Sequence, residues 1–263
     1  MFTTCIRVTA VLAVFTSLCL PGFAAEQGLE IEGTAFVLHA SDGRVLRGTD
    51  LIGAELDLDG TGLVRIEGVR PDPQGSTGGV LLHTISVQLA DGRWKNPCEA
   101  AADKTRDGIA LAGSCHSVGR FHAGPERFAL SCNSGAQANW VRFADKPWKV
   151  ATDGMSLAPF YEACVHMVRA DYCGDGVPAT RNGTLIDIFD RHGVQASADD
   201  PSLHFEAGWS PTGAVCVAHT CIAQELDLRA LVERCPRLRD RVGERCDPER
   251  AGTLGAIVFN GSR

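Results

Sequence analysis

Acidic side chains gather in the second half of the chain, close to a cysteine and several glycines. The residues that could act together are Arg169, Asp171, Asp175, Asp187, Asp190 and Glu206. Such oxygen-rich turns can bind a hard cation such as Ca²⁺, and two facing carboxylates can hydrolyse a glycosidic bond. Alternatively, each carboxylate accepts hydrogen bonds from nearby backbone N–H groups, while Arg169 pairs with one of the later acids. Because the spacing matches neither an EF-hand nor a nonapeptide calcium repeat, the sequence favours this structural interpretation.

Two nucleophilic arrangements are weaker hypotheses. The segment Gly208-Trp209-Ser210 continues into Pro-Thr, so it lacks the Gly-x-Ser-x-Gly elbow of serine hydrolases. Cys173 could act as a nucleophile with His166 or His192. In an oxidising compartment, however, a cysteine is expected to be in a disulfide, which disfavours this chemistry.

Cysteines are absent between residues 25 and 97 and frequent afterwards. They are Cys98, Cys115, Cys132, Cys164, Cys173, Cys216, Cys221, Cys235 and Cys246. In an exported protein this density predicts disulfides. Zinc is disfavoured because no Cys-x-x-Cys pair occurs, and we predict neither a metal nor a cofactor. Nine is an odd number, so one thiol is free, buried and inert, or bridged to another chain.

Local structure gives two expectations about pairing. Cys115 and Cys132 flank a short turn between two β-like runs, which favours a bridge between them. Cys164 and Cys173 fall in one predicted helix, about 13 Å apart along its axis and on opposite sides, whereas a disulfide needs Cα atoms within about 7 Å. Each of these two is therefore expected to bridge a different element. The candidate partners are Cys216, Cys235 and Cys246.

The first 24 residues are typical of a secretory signal peptide. Arg7 precedes the apolar run Val8–Leu20, and Gly22-Phe23-Ala24 offers small residues at the cleavage positions. The run is too short for a membrane span of about 20 residues. We therefore expect an exported protein, periplasmic or extracellular, without a transmembrane segment after cleavage. The formal charge of −7 argues against nucleic-acid binding.

Two regions are expected after this leader. Residues 25–97 predict a β-rich domain, because short alternating runs are separated by Gly-containing turns. The predicted strands are Leu29–Glu32, Ala35–Leu38, Leu56–Asp59, Leu63–Glu67 and Thr84–Leu89, with Pro71–Gly79 as a hairpin loop. Residues 98–263 predict a cysteine-rich α+β region, which opens with an irregular β connection up to residue 150.

Local signals define the elements of this second region. Ser156 can cap a helix that has Pro159 in its first turn and stops at Gly174. Asn182-Gly183 favours a tight hairpin turn before a strand over Thr184–Phe189.

A clearer hairpin is predicted where Leu203–Trp209 and Ala214–Ala218 flank a four-residue turn. Asp227 caps a short helix that stops at Pro236, and Thr253–Phe259 forms a final strand. The elements together predict an α+β fold, mostly antiparallel β with a few short helices and a disulfide-stapled C-terminal domain.

Motif residues of the second region resemble the bacterial family named for its ADYC motif. The matching positions are Arg169–Gly176, Thr180, Gly183-Thr184, Ile186-Asp187, Asp190, Phe205–Ala207, Trp209 and Gly213–Cys216. The resemblance covers roughly residues 95 to 260, and it implies an exported bacterial protein with no established biochemical activity. The family pattern usually has a Trp near position 115 and a Cys near position 140, whereas this chain has Cys115 and Trp140. This exchange would let Cys132 change its partner, and it makes Cys221 the expected odd thiol because Cys216 matches the family.

The sequence as a whole predicts an exported, disulfide-stabilised binding or cell-envelope interaction module with a protein or envelope partner. The alternative is a secreted or periplasmic hydrolase that uses carboxylates between Asp171 and Glu206. The positions of the carboxylates distinguish the two hypotheses. A hydrolase needs two carboxyls in an open cleft, whereas in a binding module each acid is hydrogen-bonded individually to backbone groups or to Arg.

Export gives a direct expectation about the N-terminus. Cleavage after Ala24 leaves a mature chain that begins at Ala25 or Glu26. Intact-mass measurement of periplasmic or secreted material checks this, and retention of residues 1–24 would contradict it.

Overall fold

The computed structural model describes residues 28–57, 62–75, 79–112, 128–143, 146–181, 183–193 and 195–263. The predicted leader and Cys115 lie outside these ranges. The described residues fall into two compact units, one up to residue 143 and one from residue 146 onward. None of the described helices combines the length and apolar character needed to cross a membrane.

The described part of the first unit contains two antiparallel sheets, a 3-10 turn at Gly48–Leu51 and one α-helix. One sheet has the order β1 (Gly28–Glu32), β2 (Ala35–His39), β3 (Val45–Arg47). The other has the order β4 (Glu55–Asp57), β5 (Leu63–Pro71), β6 (Leu81–Gln88), β8 (Gly108–Ala112), β9 (Phe128–Cys132), with β7 (Trp94–Lys95) also paired to β6. Helix α1 covers Ala136–Phe143. Four predicted strands and the hairpin connection between β5 and β6 are thus confirmed, and the predicted strand Leu56–Asp59 is confirmed over its described residues. Residues 58, 59 and 76–78 lie outside the described ranges.

Period-two alternation explains why these runs form strands. On β5, Val64 and Ile66 are buried, whereas Glu67 is exposed and Arg65 lies over the ring of Trp94. Residues of both sheets, including Phe36 of β2 and Phe128 of β9, contribute to one apolar core. Since a one-residue slip would turn each buried set outward, the core fixes the register.

The division between the units does not coincide with the expected boundary at residues 97 and 98. Strands β8 and β9 complete the sheet of β4 to β6, so they belong to the first unit. The expectation of an irregular β connection up to residue 150 also overlooked α1.

The described part of the second unit contains a four-stranded antiparallel sheet and three α-helices, with short 3-10 turns at Pro236–Leu238 and Gly243–Arg245. The helices are α2 (Ala158–Val168), α3 (Leu228–Arg234) and α4 (Pro248–Thr253). The sheet has the order β10 (Asp187–Asp190), β13 (Val258–Ser262), β11 (His204–Ser210), β12 (Gly213–Val217). Helix α2 is buried along most of its length and packs against β11, β12 and β13. The α+β, mostly antiparallel fold is confirmed.

Local signals succeeded where the partner is close in sequence. The β11–β12 hairpin is confirmed, and so is the Asp227 cap, whose carboxylate accepts from the Ala230 N–H at 2.7 Å. Strand β10 pairs with β13 rather than with a hairpin partner before Asn182, which itself lies outside the described ranges. The final strand begins only at Val258, because Asp247 caps α4 over the preceding residues.

Among the described residues, three disulfides connect six of the eight cysteines that were expected to be bridged. They are Cys98–Cys132, Cys173–Cys235 and Cys216–Cys246, with Cα distances of 5.3, 5.5 and 5.6 Å. Cys221 is a free thiol, as expected.

Two cysteine expectations were wrong. Cys132 bridges Cys98 rather than Cys115, because the segment after β7 folds back to the end of β9, where the Asn133 N–H donates to the Asp107 carbonyl at 2.8 Å. Cys164 is a free thiol inside the core of the second unit, since its position on α2 faces apolar packing. Burial, and after it the charge of Asp190, raises the pKa of this thiol well above its usual value.

A buried ion network ties α1 to the rest of the first unit. The Arg142 guanidinium donates to Asp72 at 2.7 and 3.2 Å and to Asp103 at 2.9 Å. Only 2% of the Arg142 side chain and none of the Asp72 side chain is exposed. Burial alone would raise the pKa of Asp72, but the hydrogen bonds from Arg142 and the Gln74 N–H keep it below its usual value. The network therefore joins the β5–β6 connection, the segment before β8 and the helix.

Removal of one member should be costly because it leaves a buried charge without its partner. We expect Arg142→Met to lower the free energy of unfolding by about 3 to 5 kcal/mol. Arg47→Met is the matched control, since Arg47 forms a two-bond pair with Glu32 on the surface of the same unit and is expected to cost less than about 1 kcal/mol. Urea unfolding of both variants checks this, and equal losses would contradict a structural role for the buried network.

Candidate functional site

The ADYC residues form the turn that ends α2. The Ala170 N–H donates to the Met167 carbonyl and the Asp171 N–H to the His166 carbonyl, both at 2.8 Å. This bond pair is a Schellman motif, which requires a left-handed residue after the helix. That residue is Ala170, with φ of 47°, so the helix ends six residues before the predicted stop at Gly174. Cys173 therefore lies in the following loop, which we call the ADYC loop (residues 170–176).

Asp171 directs its carboxylate inward and organises this loop. Oδ2 lies 2.9 Å from His166 Nδ1 and accepts the Gly176 N–H at 2.8 Å, while Oδ1 accepts the Asp175 N–H at 3.1 Å. Asp171 is fully buried. Burial by itself would raise the pKa of this carboxyl, but the His166 bond and the two backbone N–H groups hold it below its usual value. Asp171 is thus an ionised acceptor whose bonds close the loop.

Tyr172 lies in a second buried polar network, with Glu206 at its centre. The Tyr172 hydroxyl donates to Glu206 Oε1 at 2.7 Å and accepts the Cys221 N–H at 3.1 Å. Asn260 Nδ2 donates to Glu206 Oε2 at 2.8 Å, and Trp209 Nε1 donates to Asn260 Oδ1 at 2.7 Å. The Tyr172 and Trp209 rings stack at 5.3 Å. This network connects the ADYC loop to β11 and β13.

Glu206 has a shifted pKa, as catalytic acids often do. Its carboxyl is not exposed to a substrate, however. Burial raises the pKa of Glu206 above its usual value, against the effect of hydrogen bonds from Ser262, Tyr172 and Asn260. Only 1% of the residue is exposed. A general acid must reach a substrate atom, and the Glu206 oxygens are already occupied by protein donors.

A Ser–His–acid arrangement occurs nearby in the wrong order for catalysis. His219 Nε2 lies 3.1 Å from Ser262 Oγ. The Glu206 carboxylate, however, accepts from Tyr172 and Asn260, whereas a triad acid orients its histidine. Because Ser262 is fully buried, its hydroxyl is not available as a nucleophile.

Close backbone contact fastens the ADYC loop to the turn between β11 and β12. A side chain at Gly174 would meet the Thr212 carbonyl oxygen at 2.1 Å, and one at Gly213 would meet the Gly174 nitrogen at 2.7 Å. The Ala214 N–H donates to the Tyr172 carbonyl at 3.1 Å. Both glycines also have positive φ, so two separate reasons exclude larger residues.

Three residues that follow β12 in the sequence also contact the ADYC loop. Cys235 forms the disulfide with Cys173, and the Arg234 guanidinium donates to Asp175 at 2.9 and 3.2 Å. Arg237 donates to the Tyr172 carbonyl at 2.8 Å and also to the Ala214 carbonyl. The loop is therefore fixed by covalent, ionic and hydrogen-bond contacts together.

The remaining predicted residues have partners of their own. Asp187 accepts from Ser197 Oγ and the Ala198 N–H at 2.5 and 2.8 Å. Asp190 accepts the N–H groups of His192 and Gln195. Arg169 donates to the Gly176 carbonyl. Across the described ranges, no three His, Cys, Asp or Glu residues come together in a group that could hold a metal ion.

The cysteine hypotheses fail for different reasons. Cys173 is in a disulfide and has no thiol. Cys221 is half-buried, and its Sγ lies 3.5 Å from the Ala179 carbonyl oxygen. Burial, followed by the charge of Glu206, raises the pKa of the Cys221 thiol, which disfavours the reactive thiolate.

Several functional contacts were not predicted. His166, Arg237 and Asn260 became partners of the motif residues only through the tertiary fold. The spacing of His166 and Asp171 gives no local signal, because the helix was expected to continue through both. Their contact depends on the left-handed Ala170.

Loss of the Asp171 charge should destabilise the second unit. We expect Asp171→Asn to lower the free energy of unfolding by about 1 to 3 kcal/mol at neutral pH, since charged hydrogen bonds to buried donors are lost. Because the folded pKa is depressed, the advantage of the wild type is complete above the ordinary value of 3.8 and decreases as the pH falls below it. Asp175→Asn is the control, because its exposed pair with Arg234 should contribute less than about 1 kcal/mol. An unchanged thermal midpoint in Asp171→Asn at neutral pH would refute the structural role.

Comparison with known proteins identifies the family. The family model described as the ADYC domain matches residues 48–223, which is more than half of the chain and begins well before the motif itself. No curated protein and no solved structure matches the chain. The extent of this family match, together with the motif residues that end α2, shows that the chain belongs to the ADYC-domain family.

Proposed function

We propose that the chain is exported and acts as a binding or cell-envelope interaction module, in which the ADYC loop is a structural element. The observation that carries this proposal is that each predicted carboxylate has its own protein donors. Asp171 closes the loop, Glu206 holds Tyr172 and Asn260, and Asp175 pairs with Arg234. In each pairing the carboxylate oxygens accept from protein donors, whereas a glycosidase pair needs two carboxyls placed on either side of a substrate.

Export is supported by the cysteine chemistry and by the leader-like N-terminal sequence. Three disulfides in a chain of this size are typical of proteins that fold in an oxidising compartment. Two of them fasten the second unit, where Cys173–Cys235 joins the ADYC loop to the residue after α3 and Cys216–Cys246 joins β12 to the segment before α4. A covalently fastened scaffold suits a compartment in which cysteines are not kept reduced.

The alternative, a hydrolase based on carboxylates between Asp171 and Glu206, has less support. Its best candidate acid is Glu206, because burial raises the pKa of that carboxyl. A glycosidase also needs a second carboxyl across a substrate-sized gap. The accessible acids Asp187 and Asp190 instead accept hydrogen bonds from the segment that follows β10.

The test uses the processed, oxidised chain and isolated bacterial envelopes. We expect saturable co-sedimentation with the envelopes and no release of glycan or peptide fragments into the supernatant. The reduced and alkylated chain is the control and should lose saturable binding. Absence of saturable binding by the oxidised chain would contradict the module, whereas fragment release that is lost in Glu206→Gln or Asp187→Asn would establish the hydrolase.

A further inference from the structure

His83 is a buried histidine of the first unit, and its ring packs against an aromatic side chain. It lies on β6 with no exposed surface. Neither ring nitrogen has a hydrogen-bond partner with regular geometry among the described residues. Its ring meets the edge of Phe36 on β2 at 4.9 Å, and Phe36 in turn contacts Phe128 on β9 at 5.7 Å. His83 alternates with Ile85 on the same strand, so both face the apolar core that the two sheets share.

The polar groups around His83 are few and already engaged. Across the sheet, its neighbours are Val69 on β5 and Gly108 on β8. The nearby charge is that of Asp107, which accepts from Arg70 Nη2 at 2.6 Å and from Thr84 Oγ1 at 2.7 Å. Phe36 brings no charge from β2. A proton added to the ring would therefore place a second positive charge beside the Asp107–Arg70 pair, without a carboxylate of its own.

We propose that His83 makes the first unit acid-responsive, so that mild acidification opens the layer formed by β2, β6 and β8. Burying an unpaired imidazolium is far more unfavourable than burying the neutral ring, which loses only its hydrogen bonds to water. The unfolded or opened chain accepts the proton in water, and acid therefore favours the open form. The carboxylates Asp72 and Asp103 of the same unit do not produce this effect near neutral pH, because their hydrogen bonds outweigh the effect of burial and leave both with lowered pKa values.

Proton linkage gives the direction and the size of the pH effect on the opening equilibrium. Burial lowers the pKa of His83 from 6.5 to about 4, and the Gly108 backbone and the Asp107 charge oppose this only in part. Stability from this group is complete above 6.5, declines as the pH falls from 6.5 to about 4, and changes no further below that. Between pH 7 and pH 5.5, the opening equilibrium constant should rise by about tenfold.

Hydrogen exchange measured by mass spectrometry tests the proposal in the full chain. The readout is the opening constant of peptides from β6, corrected for intrinsic exchange, at pH 7 and pH 5.5, with β11–β12 peptides as an internal reference. The wild type should show the tenfold rise in β6, and His83→Leu should show little change with pH. His39→Gln is the matched control, because His39 is exposed on β2 of the same unit and should leave the rise intact.

Three results would overturn the proposal. The first is an equal pH dependence of β6 exchange in the wild type and in His83→Leu. The second, which does not depend on whether the variant folds, is an imidazole pKa at or above 6.5 for His83 in the wild-type chain, measured by NMR titration. A pKa near 4 together with unchanged β6 exchange would also contradict it, since protonation would then not be linked to opening.

Discussion

The buried carboxylate of Asp171 is the constraint around which the second unit is arranged. An ionised group removed from water is very unfavourable unless hydrogen bonds replace its hydration. Here the replacements are His166 from the last turn of α2 and two backbone N–H groups from the loop itself. The chain can supply them only if it reverses direction directly after the helix, and the left-handed Ala170 provides that reversal. Tyr172 and Cys173 are consequently delivered to the Glu206 network and to Cys235.

Each of the four motif residues thus has its own structural role. Ala170 turns the chain, Asp171 closes the loop, Tyr172 donates into the core and Cys173 fastens the loop covalently. Each role depends on the one before it, because an error in the turn would misplace every later side chain. This dependence explains how a short stretch can be characteristic of a family without being a catalytic site.

Two buried polar side chains of the first unit differ in how their charge is accommodated. Arg142 is matched by Asp72 and Asp103, so its charge is compensated within the core. His83 is accommodated by remaining neutral. A compensated pair resists changes of pH over a wide range, whereas a neutral buried histidine titrates close to physiological pH once the structure opens. The two arrangements give one unit both a fixed anchor and a pH-dependent layer.

Sequence patterns predicted the features that depend on neighbours in the chain. Alternation identified β1, β2, β4, β5 and β6 but not the three-residue β3. The residues between β11 and β12 identified that hairpin. Partners distant in sequence were not predictable in this way. Arg142 lies 70 residues from Asp72, and Cys98 lies 34 residues from Cys132, so only the folded sheet brings them together. The end of α2 was missed because an alanine at a left-handed position is unfavourable in isolation and is held there by tertiary bonds.

The carboxyl pKa of Asp171 is the most direct measure of whether the motif is structural. It can be followed by carbon-detected NMR titration of the oxidised, folded chain, with exposed Asp175 as an internal comparison. A structural acceptor that is ionised and fully hydrogen-bonded predicts a pKa below the ordinary value of 3.8. A pKa raised above that value would contradict the account, because it would indicate a protonated carboxyl available to act as an acid.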